Sequence, residues 1–382
     1  MCPLRFLVIG EGTLLRVPFS RPTWAEVDLS ALRHNVRVLA QLAAPATFLA
    51  VCKANAYGHD VRLVAPVFDA MSEVAMLGVA SVDEGALLRK MGVQKPILLL
   101  SAMLPEEARS AVRARLTPTI WTRELGLSLQ QAADKEKTRA EVHFKVDTGM
   151  GRLGFRYETA REAFCSLRDF DRVDVLGIYT HMASADEEVD DLTPLQIERF
   201  KAFIREVEPA PGVIIHAANS ATTMRYPEVR FDMVRPGIAT YGSNPLPTFE
   251  LDLKPVMTWK ARVTSLKTIP QGASVSYGAQ WTAQRDTRVA VISVGYADGF
   301  RRSLSNKAHV LINGTRCPVI GRVTMDQIMA DVSGVLVHLG DEATLFGRGL
   351  PVEEMADKAE TISYEILCGV SSRVPRLATS SG

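Results

Sequence analysis

The stretch LAVCKANAYGHD, Leu49 to Asp60, sets Lys53 at the end of an apolar run and follows it at once with a small, polar, glycine-containing segment. A short apolar run bounded in this way reads as a buried strand, and a lysine at its carboxyl end stands where a core would reject it. Further apolar, β-branched runs follow the first, FLAVCK, in the order AMLGVAS, PILLLS, LTPTIWT, AEVHFKVD, VLGIYTH, GVIIHAA and FDMVRPGIATYG. Between them lie segments of helical character such as VDEGALLRKMG and LTPLQIERFKAFIREV, where Leu195, Ile197, Phe200, Phe203 and Ile204 approximate a helical stripe. Strand and helix alternate as in a parallel sheet with crossovers. Eight βα repeats in about 230 residues predict an α/β fold with a closed, TIM-like (β/α)8 barrel over residues 21–255, an open doubly wound sheet being the alternative.

A chain of 382 residues suggests two domains. After Pro255 the texture changes: WKARVTSLKTI, DTRVAVISVGY, HVLING and ATLFG are separated by turn material and lack long helices between them. Residues 256–382 therefore read as a smaller, mainly β domain, with a helix expected within EEMADKAETISYEILCG. The opening MCPLRFLVIGEGTLLRVPFSRP has an apolar patch interrupted by Glu11 and Arg16 and is read as an extension, residues 1–20, with no assigned role. Lys and Arg total 44 against 43 Asp and Glu, so the formal charge of +1 offers no field to recruit nucleic acid or an anionic membrane. No window approaches the roughly 20 apolar residues of a membrane span. The five cysteines, Cys2, Cys52, Cys165, Cys317 and Cys368, show no metal-ligand spacing; no metal is expected, and free thiols in a reducing, cytoplasmic compartment are.

In such a barrel the chemistry collects at the carboxyl ends of the strands. There the chain carries Lys53 after the first run, Lys145 and Asp147 after the fifth, Thr180 and His181 after the sixth, His216, Asn219 and Ser220 after the seventh, and Arg235 after the eighth. A lysine amine forms a Schiff base with a carbonyl, and burial makes its neutral form available. The AANSA and RPGIATYG segments can supply hydroxyls and amides to a phosphate. Pyridoxal phosphate fits this combination: a lysine for its aldehyde, an Asp or Arg for its ring nitrogen, amides for its phosphate. Residue types alone carry the reading no further.

The motifs VCKANAYGH, FKVDTGMGRLGF, THMASAD, HAANSA, MVRPGIATYG, VSYGAQW, VGYADG, GRVTMDQ and ISYEI followed by RVPR resemble those of the alanine racemases, in family order from Trp24 to Arg376. That family consists of pyridoxal-phosphate enzymes with an N-terminal (β/α)8 barrel and a C-terminal β domain. The resemblance implies that Lys53 holds the cofactor and serves as one proton-transfer base, that Tyr57 reaches the phosphate, and that Ser220, Gly237 and Ile238, with Asn219 beside them, complete the phosphate cradle. It implies that Arg235 faces the pyridine nitrogen. Having donors only, an arginine leaves that nitrogen unprotonated and the ring a weaker electron sink, which favours racemisation over transamination. Tyr277 is then the second base, with His181 as its neighbour and His216 further along through Arg235. Arg152 would clamp the substrate carboxylate, Lys145 is the position open to carbamylation by carbon dioxide, and Asp326 would stand behind the reacting groups. Tyr277 and Met325 would enter the site of the other subunit, making the working unit a homodimer with two shared sites. The implied reaction interconverts L- and D-alanine, the latter for peptidoglycan.

One departure is Ser372, where many members carry a tyrosine just before RVPR; the smaller residue is expected to leave room and to bear on substrate breadth. A racemase for serine or larger side chains is thus the nearest alternative. A basic amino-acid decarboxylase of related architecture lacks its cysteine-containing signature here. A non-catalytic pyridoxal-phosphate carrier would have no use for Tyr277 and Met325.

Overall fold

The computed structural model describes residues 6–9, 13–16 and 21–380. The eight apolar runs form eight short strands: β1 (Thr47–Val51), β2 (Val74–Val79), β3 (Ile97–Leu99), β4 (Thr119–Ile120), β5 (Ala140–Asp147), β6 (Val173–Tyr179), β7 (Ile214–His216) and β8 (Met233–Val234). Phe48 to Val51 and Ile97 to Leu99 are buried without alternation, as strands covered on both faces must be. β1, β2 and β3 pair in parallel, a bridge from Leu98 to Thr117 leads to β4, and β4, β5, β6 and β7 continue the parallel order. The Asp232 N–H donates to the Ile215 carbonyl and the Arg235 N–H to that of Ala218, joining β7 to β8. β8 then pairs with β1, Met233 opposite Thr47, and the sheet closes into the expected barrel.

Sequence-local signals start the outer helices. Asp28 caps Leu29–Ala43 by accepting the Ser30 and Ala31 N–H groups, Ser81 caps Val82–Lys90, and Thr122 caps Arg123–Glu136. Each Ser, Thr or Asp oxygen satisfies a donor that the first helical turn leaves orphaned.

The C-terminal sheet runs in the order Thr315–Pro318, His309–Ile312, Glu342–Phe346, Met257–Ile269, Thr287–Ile292, Ile328–Asp331. Thr23–Asp28 adds to it, antiparallel to the start of Met257–Ile269, and Arg376–Thr379 lies parallel to Thr23–Asp28. Residues 23–28, expected at the start of the barrel, therefore belong spatially to the second sheet. The physical reason is that Ala25 and Val27 are buried against Trp259 and its neighbours, a face that the barrel does not offer. The expected helical tail is a pair, Val352–Lys358 and Ser363–Gly369. Of the extension, the backbone of Phe6–Ile9 pairs antiparallel with Thr13–Arg16; its remaining residues, Cys2 among them, lie outside the described ones. Cys52, Cys165, Cys317 and Cys368 are free thiols.

Candidate active site

β1 ends at Val51, and the chain then turns with the opposite hand. Ala54, Asn55, Ala56 and Tyr57 have φ of 52°, 54°, 56° and 52°, a left-handed turn of four residues that all carry a Cβ. This conformation costs about 1–2 kcal/mol per residue, so the surroundings must impose it. Several do. The His59 ring Nδ1 lies 3.0 and 2.9 Å from the Ala56 and Tyr57 carbonyls, the Val61 N–H donates to Asn55 Oδ1 at 2.9 Å, and Arg376 Nε donates to the Gly58 carbonyl at 2.9 Å. Gly58 itself has φ of +80°, and a Cβ there would meet the Leu367 carbonyl oxygen at 2.2 Å. The turn brings Lys53 and Tyr57 to the mouth of the barrel.

There a cavity of about 520 Å³ opens at the carboxyl ends of the strands. Lys53, Tyr57, Lys145, Arg152 and His181 line it, joined by Asn219, Ser220, Arg235 and Gly237. Burial, with the nearby Arg152 guanidinium, lowers the Lys53 pKa. Burial, Arg235, Arg152 and Lys53 together bring Lys145 down to about 7. Both amines thus gain a neutral form that an exposed lysine lacks.

Arg235 is buried, and both of its terminal nitrogens reach inward partners. Nη1 lies 2.8 Å from His216 Nδ1, while Nη2 donates to the Thr180 and Ala217 carbonyls and lies 3.3 Å from His181 Nδ1. A guanidinium only donates, so both Nδ1 atoms accept and each ring carries its proton on Nε2. His216 Nε2 then donates to His143 Nδ1 at 2.8 Å. Burial and the Arg235 charge hold His181 and His216 well below the usual imidazole range, and His143 down to about 3. The relay is therefore uncharged apart from the arginine.

The opposite end of the cavity is a cup. Ser220 Oγ accepts the Gly237 N–H at 2.9 Å and the Ala239 N–H at 3.3 Å, and Ile238, fully buried, starts the next turn. A Cβ on Gly237 would come 2.3 Å from Tyr57 Oη, so only a bare glycine lets the phenol occupy that corner. Asn219 lines the cavity as well, and its Oδ1 accepts the Thr222 N–H and hydroxyl as the cap of Ser220–Arg225, which holds the loop.

Five expected residues are not part of the lining of this cavity: His216, which stands behind Arg235, Ile238, which follows Gly237, and Tyr277, Met325 and Asp326 of the C-terminal domain. Tyr277 is 72% exposed and Met325 53%, both on the C-terminal domain. Asp326 accepts from Arg373 Nη2 at 2.8 Å and Arg21 Nη1 at 3.1 Å, which hold its carboxyl below the usual range. Ser372 is exposed and away from the lining, so the room expected from it is not made in this cavity. The wall is formed instead by Tyr364 and Cys368, which sequence reading passed over although Tyr364 stands in the quoted ISYEI. His143 and Tyr179 were also missed. The spacing His143, Lys145 along β5 was the available signal, since alternate residues of a strand share a face. Among the described residues no group of three His, Cys, Asp or Glu could hold a metal ion.

The donor set fits pyridoxal phosphate: a half-buried amine with lowered pKa, a donor-only guanidinium in the same cavity, and a glycine cup capped by a phenol and a serine hydroxyl. Fold and cavity together define a barrel protein with a C-terminal β domain and a lysine-lined cavity at the carboxyl ends of its strands. Family models for the alanine racemase N-terminal domain and C-terminal domain match residues 27–245 and 256–378. The chain is 46% identical over 368 residues to an alanine racemase of Symbiobacterium thermophilum, covering 93% of this chain and 97% of that one. It is 45% identical to that of Desulfovibrio desulfuricans, with 94% and 99% covered. Among solved structures it is similar to the alanine racemase of Clostridium difficile 630, with TM-score 0.89, 34% identity, and 95% and 97% of the chains covered. The biosynthetic alanine racemase of Pseudomonas aeruginosa gives 0.87, 37%, 94% and 99%. The chain belongs to the alanine racemase family.

Proposed function

We propose that this protein is an alanine racemase, an isomerase that interconverts L- and D-alanine with pyridoxal 5'-phosphate held by Lys53, Tyr57, Ser220, Arg235, Gly237 and Ile238, Asn219 ordering the loop beneath. The observation that carries the reading is a half-buried lysine of lowered pKa sharing its cavity with Arg235 and Arg152. When bound, the cofactor supplies an aldehyde for the substrate amine and a conjugated ring to spread the charge left by the α-proton. Lys53 Nζ, which burial makes available as the free amine, takes or returns that proton on one face. Tyr277 Oη does so on the other, with Met325 beside it. Arg152 binds the substrate carboxylate through its guanidinium fork. Lys145 can be carbamylated because its amine titrates at about 7; the added negative charge would turn repulsion of Arg152 into attraction. Arg235, His181 and His216 hold the ring and the protons about it in fixed tautomers, and Asp326 anchors the loop that bears Met325.

Exposure of Tyr277 and Met325, away from the cavity of their own chain, supports a homodimer in which each copy completes the other's site. Among the described residues no helix is long and apolar enough to cross a membrane. We place the enzyme in the cytoplasm, with D-alanine passing to peptidoglycan.

The test begins with a visible absorbance band of the cofactor-loaded protein. It is expected to vanish in Lys53→Ala, and the wild type should convert L-alanine in deuterated water to a racemate bearing deuterium at Cα. A band without deuterium incorporation would reject alanine as the substrate; the absence of any band would reject the cofactor.

A further inference from the structure

The left-handed turn that carries Lys53 and Tyr57 begins with a donor that the turn itself cannot satisfy. Ala56 N–H reaches the Cys52 carbonyl and Gly58 N–H that of Ala54, whereas Ala54 N–H points away from the turn. Glu84 Oε1 accepts it at 2.8 Å, and Glu84 Oε2 accepts the Ala80 N–H at 2.7 Å. Ala80 follows β2 directly and Ala54 follows β1 by two residues, so one carboxylate ties the ends of two neighbouring strands. The geometry is not that of an ordinary helix cap. Ser81 and Glu84 have the spacing of a capping box, and the Glu84 N–H does donate to Ser81 Oγ at 3.2 Å. In a capping box the glutamate would return to the Ser81 N–H; here it passes that group by and spans to the turn.

We propose that Glu84 is a positioning residue for Lys53: its two carboxylate oxygens clamp the first amide of the left-handed turn to the end of β2 and thereby aim the amine into the cavity. The inference rests on the reading of Lys53 given above. Both oxygens face N–H donors, so a carboxylate is required and a carboxamide of the same shape is not equivalent, because its NH₂ would oppose one of them. Such charge-assisted bonds are the stronger kind. Glu84 is also the acid whose field opposes the lowering of the Lys53 pKa by burial and Arg152. It therefore bears on where the amine points and, by opposing burial and Arg152, on its protonation.

The test compares Glu84→Gln and Glu84→Ala with Asp83→Asn, which removes a charge from the same helix turn at an exposed side chain. In the full chain without cofactor, amide exchange of the peptide spanning residues 53–58 should quicken by about tenfold or more in both Glu84 variants. The pH midpoint for acetylation of Lys53 by acetic anhydride, read by peptide mass, should fall, since a negative charge that favours the ammonium is gone. Pyridoxal phosphate affinity should weaken by roughly 10- to 100-fold. Asp83→Asn should move none of the three. Unchanged exchange and an unchanged midpoint in Glu84→Gln would overturn the proposal, as would loss of protection confined to residues 82–90, which would make Glu84 a helix cap. Should Glu84→Ala not fold, Glu84→Gln decides alone. A wild type that takes up no cofactor would refute the reading of Lys53, while exchange and acetylation would still judge the clamp.

Discussion

Lys53, Lys145, Arg152 and Arg235 share one cavity, and Lys145 feels the charge of the other three. Lys145 is the most strained of them electrostatically, being 4% exposed and titrating at about 7 against an ordinary 10.5. In the unfolded chain it binds its proton up to about 10.5; in the folded chain it gives it up near 7. Between these values the unfolded state holds more protons, so the penalty this residue imposes on folding is full below pH 7 and shrinks as the pH rises to 10.5. Lys145→Met should accordingly stabilise the cofactor-free protein in carbonate-free buffer, by on the order of 4 kcal/mol at pH 6 and by little near pH 10.5. Urea unfolding at three pH values checks this; a gain independent of pH would show that the lysine is not destabilised by its charge. Adding bicarbonate should narrow the gap if the wild-type amine is carbamylated. At this scale the sequence was informative where a residue ends a strand, as Lys53, Arg235 and His181 do. It was silent on Tyr364 and Cys368, because which face of the helix Ser363–Gly369 meets the barrel is set by packing and not by spacing.

Among the elements, the barrel strands were legible because burial on both faces leaves a continuous apolar run. Thr23–Asp28 does not stand out in that way: Glu26 and Asp28 interrupt it, it was not read as a strand, and the partners that make it one lie more than 200 residues away in the second sheet. The left-handed turn was not legible at all. Ala54-Asn55-Ala56-Tyr57 has no local preference for that hand apart from its asparagine, and the turn exists because His59, Arg376 and Gly58 hold it. Gly58 is the point at which local and tertiary demands coincide. Gly58→Ala adds a Cβ at φ +80° and drives it to 2.2 Å from a backbone oxygen of Ser363–Gly369, which cannot move as a side chain could. The expected result is a loss of about 2–4 kcal/mol in unfolding free energy together with weakened cofactor uptake, read by urea titration and by the visible band. A variant that kept both would mean that the helix pair at the end of the chain yields to the turn.

For the whole molecule, the placing of the proposed bases on two domains bears on the proposed dimer. The barrel presents Lys53, Arg152 and Arg235 within one cavity, while Tyr277 and Met325 stand exposed on the other domain, outside the lining of that cavity. If Tyr277 is the second base, as proposed, it needs cover from solvent, which a second copy would supply. Two-fold symmetry makes such an arrangement reciprocal: if one chain lends its tyrosine, it borrows its partner's. Mixing two dead variants separates this from a site completed within one chain. Lys53→Ala retains the tyrosine and Tyr277→Phe retains the lysine, so in a shared-site dimer each mixed dimer contains one site with both bases and one with neither. Random exchange of equal amounts should then restore about a quarter of wild-type racemisation, half the dimers being mixed and half of their sites complete. Dissociation and reassociation of the two pure variants, followed by activity and by mass spectrometry for the mixed species, makes the comparison. Mixed dimers without activity would require Tyr277 to serve its own chain, and a movement of the C-terminal domain toward the barrel to bring it there.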